Sequence, residues 1–234
     1  MMPSRLSRFL KLAAGLRPPV GLCVFVGAAS LAAATAHAAD EDISVNARLL
    51  MAARGADASG LTRALAAGAA VNSRNRLGET PLIIVLKNGH PELAPPLLEA
   101  GANVNQPALN GITPLMAAAY AGNVELVRIL LQRGADAGAL DRLKKNAMTY
   151  AAGEGHTEVV RVLLDAGVSA DAVYHNDLTA LMWAAGYGRT DTVRLLLTAG
   201  ARADRRDDRG KTALDIAREQ GKTETVRLLE TAGR

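Results

Sequence analysis

The sequence predicts an all-α repeat protein, an α-solenoid built from stacked helix pairs. Three series of residues recur every 33 residues without a slip, and self-similarity at a fixed period is the signature of a repeat architecture. One series marks helix starts, and two glycine series mark helix ends. The first series is Thr80, Thr113, Asn146, Thr179 and Thr212. The glycine series are Gly89, Gly122, Gly155, Gly188 and Gly221, and Gly68, Gly101, Gly134, Gly167, Gly200 and Gly233.

The Thr80 series predicts where the first helix of each unit begins. Each member precedes an apolar segment such as PLIIVLKN, and its side-chain oxygen can accept an unpaired N–H group of the first helical turn. Pro81 and Pro114 follow at the first helical position, where a missing N–H costs nothing. The Gly89 series can take the left-handed conformation that closes this helix.

A second helix is predicted in each unit, ending at the Gly101 series. Leucine pairs recur in it and form an apolar stripe at helical spacing with Leu126, Val159 and Val193. The pairs are Leu97/Leu98, Leu130/Leu131, Leu163/Leu164 and Leu196/Leu197. In unit two, Pro95 and Pro96 fall inside this helix, where proline removes a ladder hydrogen bond. We therefore expect unit two to be the softest internal unit.

These residues resemble ankyrin repeats, and the resemblance covers about residues 46–234. It is carried by stretches such as GITPLMAAAYAGNVELVRILLQRGADA and GKTALDIAREQGKTETVRLLETAG. It implies helix–turn–helix units joined by β-hairpin fingers and stacked into a curved solenoid. Six units follow from the period, at about residues 46–74, 75–107, 108–140, 141–173, 174–206 and 207–234. Finger four is expected to differ, because Lys144 stands where other fingers have glycine. Asp177 replaces the glycine of finger five, whose conformation stays open.

The amino terminus predicts a secretory signal peptide at residues 1–38, followed by a short leader at residues 39–45. A basic segment precedes an uncharged apolar run of 17 residues, and Ala36-His37-Ala38 fits the small-x-small cleavage pattern. Ala34-Thr35-Ala36 fits it too, so the cleaved bond stays open. The alternative is an uncleaved membrane anchor, for which the run is short. The pattern favours the bacterial periplasm, and a membrane contact is expected only if the segment is retained.

The cysteine content bears on the cellular compartment, and the net charge bears on the class of partner. The single cysteine, Cys23, lies in the apolar run, so the cleaved chain would have no thiol, which suits an oxidising compartment. The formal net charge of +4 is misleading: of 27 basic residues, four precede position 39, which leaves 23 against 23 acidic residues. A nearly neutral repeat region argues against a nucleic-acid partner, which calls for a basic patch.

The repeat region shows no catalytic constellation. His90 and His156 recur at one structural position, and His175 has no second histidine at ligand spacing. No serine lies in a Gly-x-Ser-x-Gly elbow, and no glycine-rich phosphate loop follows a strand. We therefore expect a protein that is not an enzyme and that uses no cofactor and no metal.

The resemblance implies a monomeric protein–protein interaction scaffold that binds through its finger tips and first helices, on the concave face. Tyr120 and Tyr187 either anchor a partner or pack between units. For Trp183 we favour packing between units. The alternatives are a membrane-tethered structural or adaptor protein, and an inhibitor or immunity protein for a secreted toxin or enzyme. The candidate binding residues are Arg76, Leu77, Leu109, Ile112, Tyr120, Arg142, Leu143, Lys145, His175, Leu178, Tyr187 and Arg209.

Overall fold

The computed structural model describes residues 44–232, so the predicted signal peptide at residues 1–38 lies outside the described residues. Twelve α-helices follow one another as six pairs in this range. They are α1 Val45–Arg54 with α2 Ala58–Ala66, α3 Pro81–Lys87 with α4 Ala94–Glu99, α5 Pro114–Tyr120 with α6 Val124–Gln132, α7 Ala147–Glu154 with α8 Thr157–Asp165, α9 Ala180–Gly186 with α10 Thr190–Thr198, and α11 Ala213–Glu219 with α12 Thr223–Ala232. The six pairs confirm the all-α repeat class.

The predicted helix starts are confirmed in units two to six. Thr80 Oγ1 accepts a hydrogen bond from Ile83 N at 3.3 Å, and the other members of its series accept from the equivalent amide. In unit four the cap is reciprocal, because Asn146 Oδ1 accepts from Thr149 N while Thr149 Oγ1 accepts from Asn146 N, both at 3.0 Å. Each cap contributes about 1 kcal/mol by satisfying an otherwise unpaired amide.

The predicted helix ends are confirmed as well. Every described glycine of the two series is left-handed, with φ between 64° at Gly221 and 91° at Gly200. This conformation turns the chain out of the helix and lets the last carbonyl groups find amide partners. The residues that recur every 33 positions are therefore those that begin and end the helices.

The core runs through the stack as one continuous cluster. The first helices pack on one another in order from α1 to α11, and the second helices do so from α6 to α12. The repeated leucine of the second helix is at most 3% exposed in units two to six, as Leu97, Leu130, Leu163, Leu196 and Leu229. Burying one such side chain stabilises the fold by about 2 kcal/mol. Because each unit buries its leucine against its neighbours, stability comes from stacking.

The second helix of unit two is shortened rather than interrupted. Pro95 and Pro96 were expected inside it, but α4 begins at Ala94, so both prolines lie in its first turn. Amides in the first turn have no acceptor within the helix, and proline is tolerated there. A 3₁₀-helix at Pro91–Leu93 takes the place of the missing turn, and α4 has six residues where α6 has nine.

The fingers are tight turns rather than β-hairpins. We call residues 75–79, 108–112, 141–145, 174–178 and 207–211 fingers two to six. The described residues contain no β-strand, and their one isolated bridge pairs Val173 with Thr179. Finger two closes instead through Asn75 N donating to the Glu79 carbonyl at 3.0 Å and Gly78 N donating to the Asn75 carbonyl at 2.9 Å. The hairpins expected from the resemblance are thus reduced to single turns.

Only one of the two fingers without glycine differs from the others. Finger four closes with the same two bonds, and Lys144 adopts the left-handed conformation itself, with φ of 58°. The expectation that finger four differs was wrong. Finger five does differ, because His175–Asp177 forms a 3₁₀-helix in which Asn176 and Asp177 are left-handed. Left-handed backbone costs a residue with a Cβ about 1 kcal/mol or more.

None of the helices in residues 44–232 has both the length and the apolar character that a membrane span requires.

Candidate functional site

One surface of the repeat domain exposes large apolar side chains. We call this surface the finger face: it comprises the finger turns and the exposed sides of the first helices α3, α5, α7, α9 and α11. Leu77, Leu109 and Leu143 lie at the tips of fingers two to four and are 62%, 54% and 64% exposed. A single exposed leucine needs no explanation, but a group on one surface is typical of an interaction site.

The candidate residues divide into exposed and half-buried groups. Ile112 and Leu178 are half-buried and pack against the core. Lys145 is half-buried too. The exposed candidates are Arg76, Leu77, Leu109, Tyr120, Arg142, Leu143, His175, Tyr187 and Arg209.

Four aromatic rings and one lysine form a cluster on the finger face. We call Tyr120, Tyr150, Trp183, Tyr187 and Lys145 the aromatic cluster. Tyr120 meets Tyr150 edge-on, with ring centroids 6.0 Å apart, and Trp183 stacks with Tyr187 at 6.1 Å. The Lys145 Nζ atom lies 4.2 Å from the Trp183 ring centroid and 5.6 Å from that of Tyr150. The lysine therefore joins the two aromatic pairs.

The repeat period brings these side chains together. Tyr150 on α7 and Trp183 on α9 occupy the same position of successive units, 33 residues apart, and α7 packs against α9. Gly153, on α7, presents no side chain to the stacked pair. A Cβ atom there would meet the Tyr187 ring at 3.7 Å and the Trp183 ring at 3.9 Å. The stacked rings therefore lie close against the backbone of the preceding unit.

A buried carboxylate fixes Tyr150 and finger four to each other. The Tyr150 hydroxyl donates to Asp141 Oδ2 at 2.6 Å, while Asp141 Oδ1 accepts from Leu143 N and Lys145 N, both at 2.8 Å. Burial, and then the hydrogen bond to Asp141, raise the pKa of the Tyr150 phenol well above its ordinary value. The phenol stays neutral and acts as a donor that holds the finger on the helix.

The structure bears on the packing of the aromatic residues, while their role as partner anchors stays a prediction. Trp183 is half-buried and contacts Lys145 of the preceding unit, in line with packing between units. Tyr120 and Tyr187 each contact one ring, yet they are 55% and 53% exposed. Sequence analysis missed Tyr150, although a signal was present, since it shares its repeat position with Trp183.

Comparison with known proteins identifies the repeats. A family model described as ankyrin repeats (3 copies) matches residues 49–141, 85–174 and 148–233, which together span most of the chain. The chain belongs to the ankyrin-repeat family. No curated protein matches it. Ankyrin repeats indicate a protein–protein interaction scaffold.

Two histidines of this ankyrin-repeat protein make contacts within the repeats. The His156 Nε2 atom lies 2.9 Å from the Tyr120 carbonyl oxygen, one unit away, and His90 Nδ1 lies 3.4 Å from Glu92 Oε1. Within residues 44–232, no three histidine, cysteine, aspartate or glutamate side chains gather into a group that could hold a metal ion.

Proposed function

We propose that this ankyrin-repeat protein is a non-catalytic scaffold that binds a protein partner through its finger face, in the bacterial periplasm. The observation that carries the proposal is the pair Tyr120 and Tyr187, more than half exposed and held on one surface with the leucine tips. Tyrosine has few rotatable bonds and offers both an apolar ring and a hydroxyl, which makes it a frequent interface anchor.

The contacts below the two tyrosines support this role. Tyr120 meets the edge of Tyr150, and Tyr187 stacks on Trp183 at an interplanar angle of 12°. Each ring is therefore oriented before a partner arrives, so that little side-chain entropy remains to be lost on binding. Apolar surface left in water in the free protein is the surface that gains most from being covered.

The proposed location rests on the sequence of the amino terminus. A basic segment, an uncharged run and a small-x-small site are the three parts of a secretory signal peptide. Confinement of the only cysteine to that segment agrees with an oxidising compartment.

The function is tested with the double variant Tyr120→Ala, Tyr187→Ala. A partner isolated by cross-linking from periplasmic extract should bind this variant at least about tenfold more weakly, because truncating a buried aromatic anchor commonly costs about 2 kcal/mol or more. The matched control is Glu125→Ala with Arg161→Ala, two exposed residues on the second helices. Affinities are measured by calorimetry, and circular dichroism checks that each variant keeps its helices. If the control pair weakens binding and the tyrosine pair does not, the finger face is not the binding surface.

A further inference from the structure

We propose that Lys145 binds a carboxylate of the partner, so that the partner docks through an acidic segment that also carries apolar side chains. The inference rests on the proposed protein-binding function of the finger face and names the chemistry that this surface recognises. It is carried by the Lys145 ammonium group, which lies among aromatic rings and has no acidic partner among residues 44–232.

The repeat itself shows which partner is missing. In unit two Glu79 pairs with Lys87, and in unit six Lys211 pairs with Glu219. Both pairs join the last finger residue to the residue eight positions later. In unit four these two positions hold Lys145 and Gly153. The lysine is kept while the site of its carboxylate is a glycine, and Lys145 forms no ion pair within residues 44–232.

Glu79, the buried member of the pair in unit two, shows that an ion pair at this position can keep a carboxylate charged. Glu79 is only 8% exposed. Burial alone would raise its pKa, but the hydrogen bonds from Lys87 and from Asn75 outweigh burial, so the pKa lies below its ordinary value. An ion pair at this edge of the finger face is thus stable enough to keep a nearly buried carboxylate charged.

Unit four cannot supply this carboxylate itself. Gly153 is buried, and a Cβ atom there would already meet the Tyr187 and Trp183 rings, so a carboxylate has to reach the half-buried Lys145 from outside the protein. The Trp183 ring holds the ammonium by a cation–π contact at 4.2 Å, which fixes its position without neutralising its charge. A carboxylate arriving from outside would form a charge-assisted hydrogen bond in partly apolar surroundings, where such bonds are strong.

The charge of finger four favours the same occupant. Arg142, Lys144 and Lys145 stand within four residues, and the acid of this finger, Asp141, is buried and already bonded to Tyr150. Finger three has no charged residue, and finger five carries Asp177 but no lysine or arginine. A local positive surface beside exposed leucine tips complements an acidic segment with apolar residues, and it raises the rate of association as well.

The test uses a random phage-displayed peptide library selected on the full chain. The most enriched peptide is synthesised together with a version in which its acidic residues are replaced by their amides. Trp183 is the only tryptophan of the protein, so its fluorescence reports binding directly beside Lys145. We expect enriched peptides to carry Asp or Glu next to apolar residues, and the amide version to bind about tenfold more weakly or worse.

Matched lysine variants test whether Lys145 is the group that binds the carboxylate. Lys145→Met should weaken the acidic peptide about tenfold and abolish the difference between the acidic and amide versions. Lys211→Met removes a lysine at the same finger position whose ammonium already pairs with Glu219, and it should leave both affinities within about twofold.

The outcomes separate this inference from the proposed function. If Lys145→Met still distinguishes the two peptides while the Tyr120→Ala, Tyr187→Ala variant loses both, the finger face stands and the carboxylate site is wrong. If enriched peptides need no acidic residue, the carboxylate site is wrong as well. If neither set of variants affects binding, or no peptide is enriched, both the inference and the proposed surface are overturned.

Discussion

Replacing Gly111 by Ala is expected to destabilise the repeat domain much more than replacing Gly210 by Ala, although both glycines hold the same position in their finger turns. Both are left-handed, with φ of 86° and 78°. A Cβ atom on Gly111 would lie 2.8 Å from Asp141 Cα and 3.0 Å from Arg142 N, whereas one on Gly210 would meet nothing within 4 Å. The two variants therefore share the conformational strain and differ in the clash.

The magnitudes follow from these two contributions. A Cβ in left-handed backbone costs about 1–2 kcal/mol, and the lower entropy of the unfolded alanine chain offsets about 0.4–1 kcal/mol of it. Gly210→Ala should thus cost about 1 kcal/mol. In Gly111→Ala the clashing atoms are main chain and cannot rotate away, so finger four must shift. Overpacking of this kind adds about 1–3 kcal/mol. That shift also strains the bond from Arg142 N to the Asn110 carbonyl, 3.0 Å long.

Urea unfolding of the full chain, followed by far-ultraviolet circular dichroism, measures both effects. The free energies of unfolding are compared at a common m-value, since neither substitution changes the buried surface appreciably. We expect Gly111→Ala to lose about 2 kcal/mol more than Gly210→Ala. If the two losses agree within about 0.5 kcal/mol, fingers three and four do not approach each other in solution as closely as the structure shows, and the reasoning fails.

Three further predictions concern other parts of the chain. Amides of α4 and of the 3₁₀-helix before it should exchange with solvent faster than those of α6 or α8, because a six-residue helix has few internal bonds; equal protection would refute this. Secreted protein should begin at Ala39 or His37 on Edman sequencing, whereas an intact amino terminus in the membrane fraction would contradict the signal peptide. The pKa of Asp171 is lowered, chiefly because its carboxylate accepts a hydrogen bond from Arg205. The ionised carboxylate stabilises the fold fully above the unfolded-state pKa of about 4, and this contribution is lost as pH falls through the lower folded-state pKa. Asp171→Asn should therefore flatten the acid loss of stability in pH-dependent urea midpoints.

The parts of the fold that could be read from the sequence are those set by local chemistry. Thr80 and its equivalents cap a helix through an amide three residues away, so a short segment contains both partners. The turn at Pro91 was not foreseen, because two prolines can be accommodated by moving the helix start. The role of Tyr150 was missed for another reason: its contacts with Asp141 and Lys145 exist only once finger four folds back on α7.

Lys145, which forms no ion pair with any residue that the structure describes, could be predicted in part. The contacts of Lys145 with the aromatic rings could be seen only in the structure. The absence of an acidic residue at its partner position can be seen in the sequence. The pairs Glu79/Lys87 and Lys211/Glu219 recur at the same spacing as Lys145/Gly153. When the units are aligned by their period, Lys145 stands out as a charged residue whose partner position holds glycine.

The departures from the repeat rule coincide with the candidate site. Main-chain hydrogen bonds join finger two to three, three to four, and five to six, with the Asp208 N to Asn176 carbonyl bond of 3.1 Å as the last of them. Within residues 44–232 no such bond joins finger four to five, and the Lys145–Trp183 contact spans these two units instead.

Strain is concentrated at the same junction. Lys144 is left-handed on one side of it, and Asn176 and Asp177 are left-handed on the other. Unfavourable backbone of this kind persists where surrounding contacts determine it, and it is found most often at sites of function. Asp141 supplies those contacts in finger four, since it accepts the amides that flank Lys144. A glycine at position 144 would form the same turn with less strain, so the scaffold alone does not account for the lysine. A cation next to Lys145 does account for it if this junction meets an acidic partner, because a second positive charge strengthens the attraction.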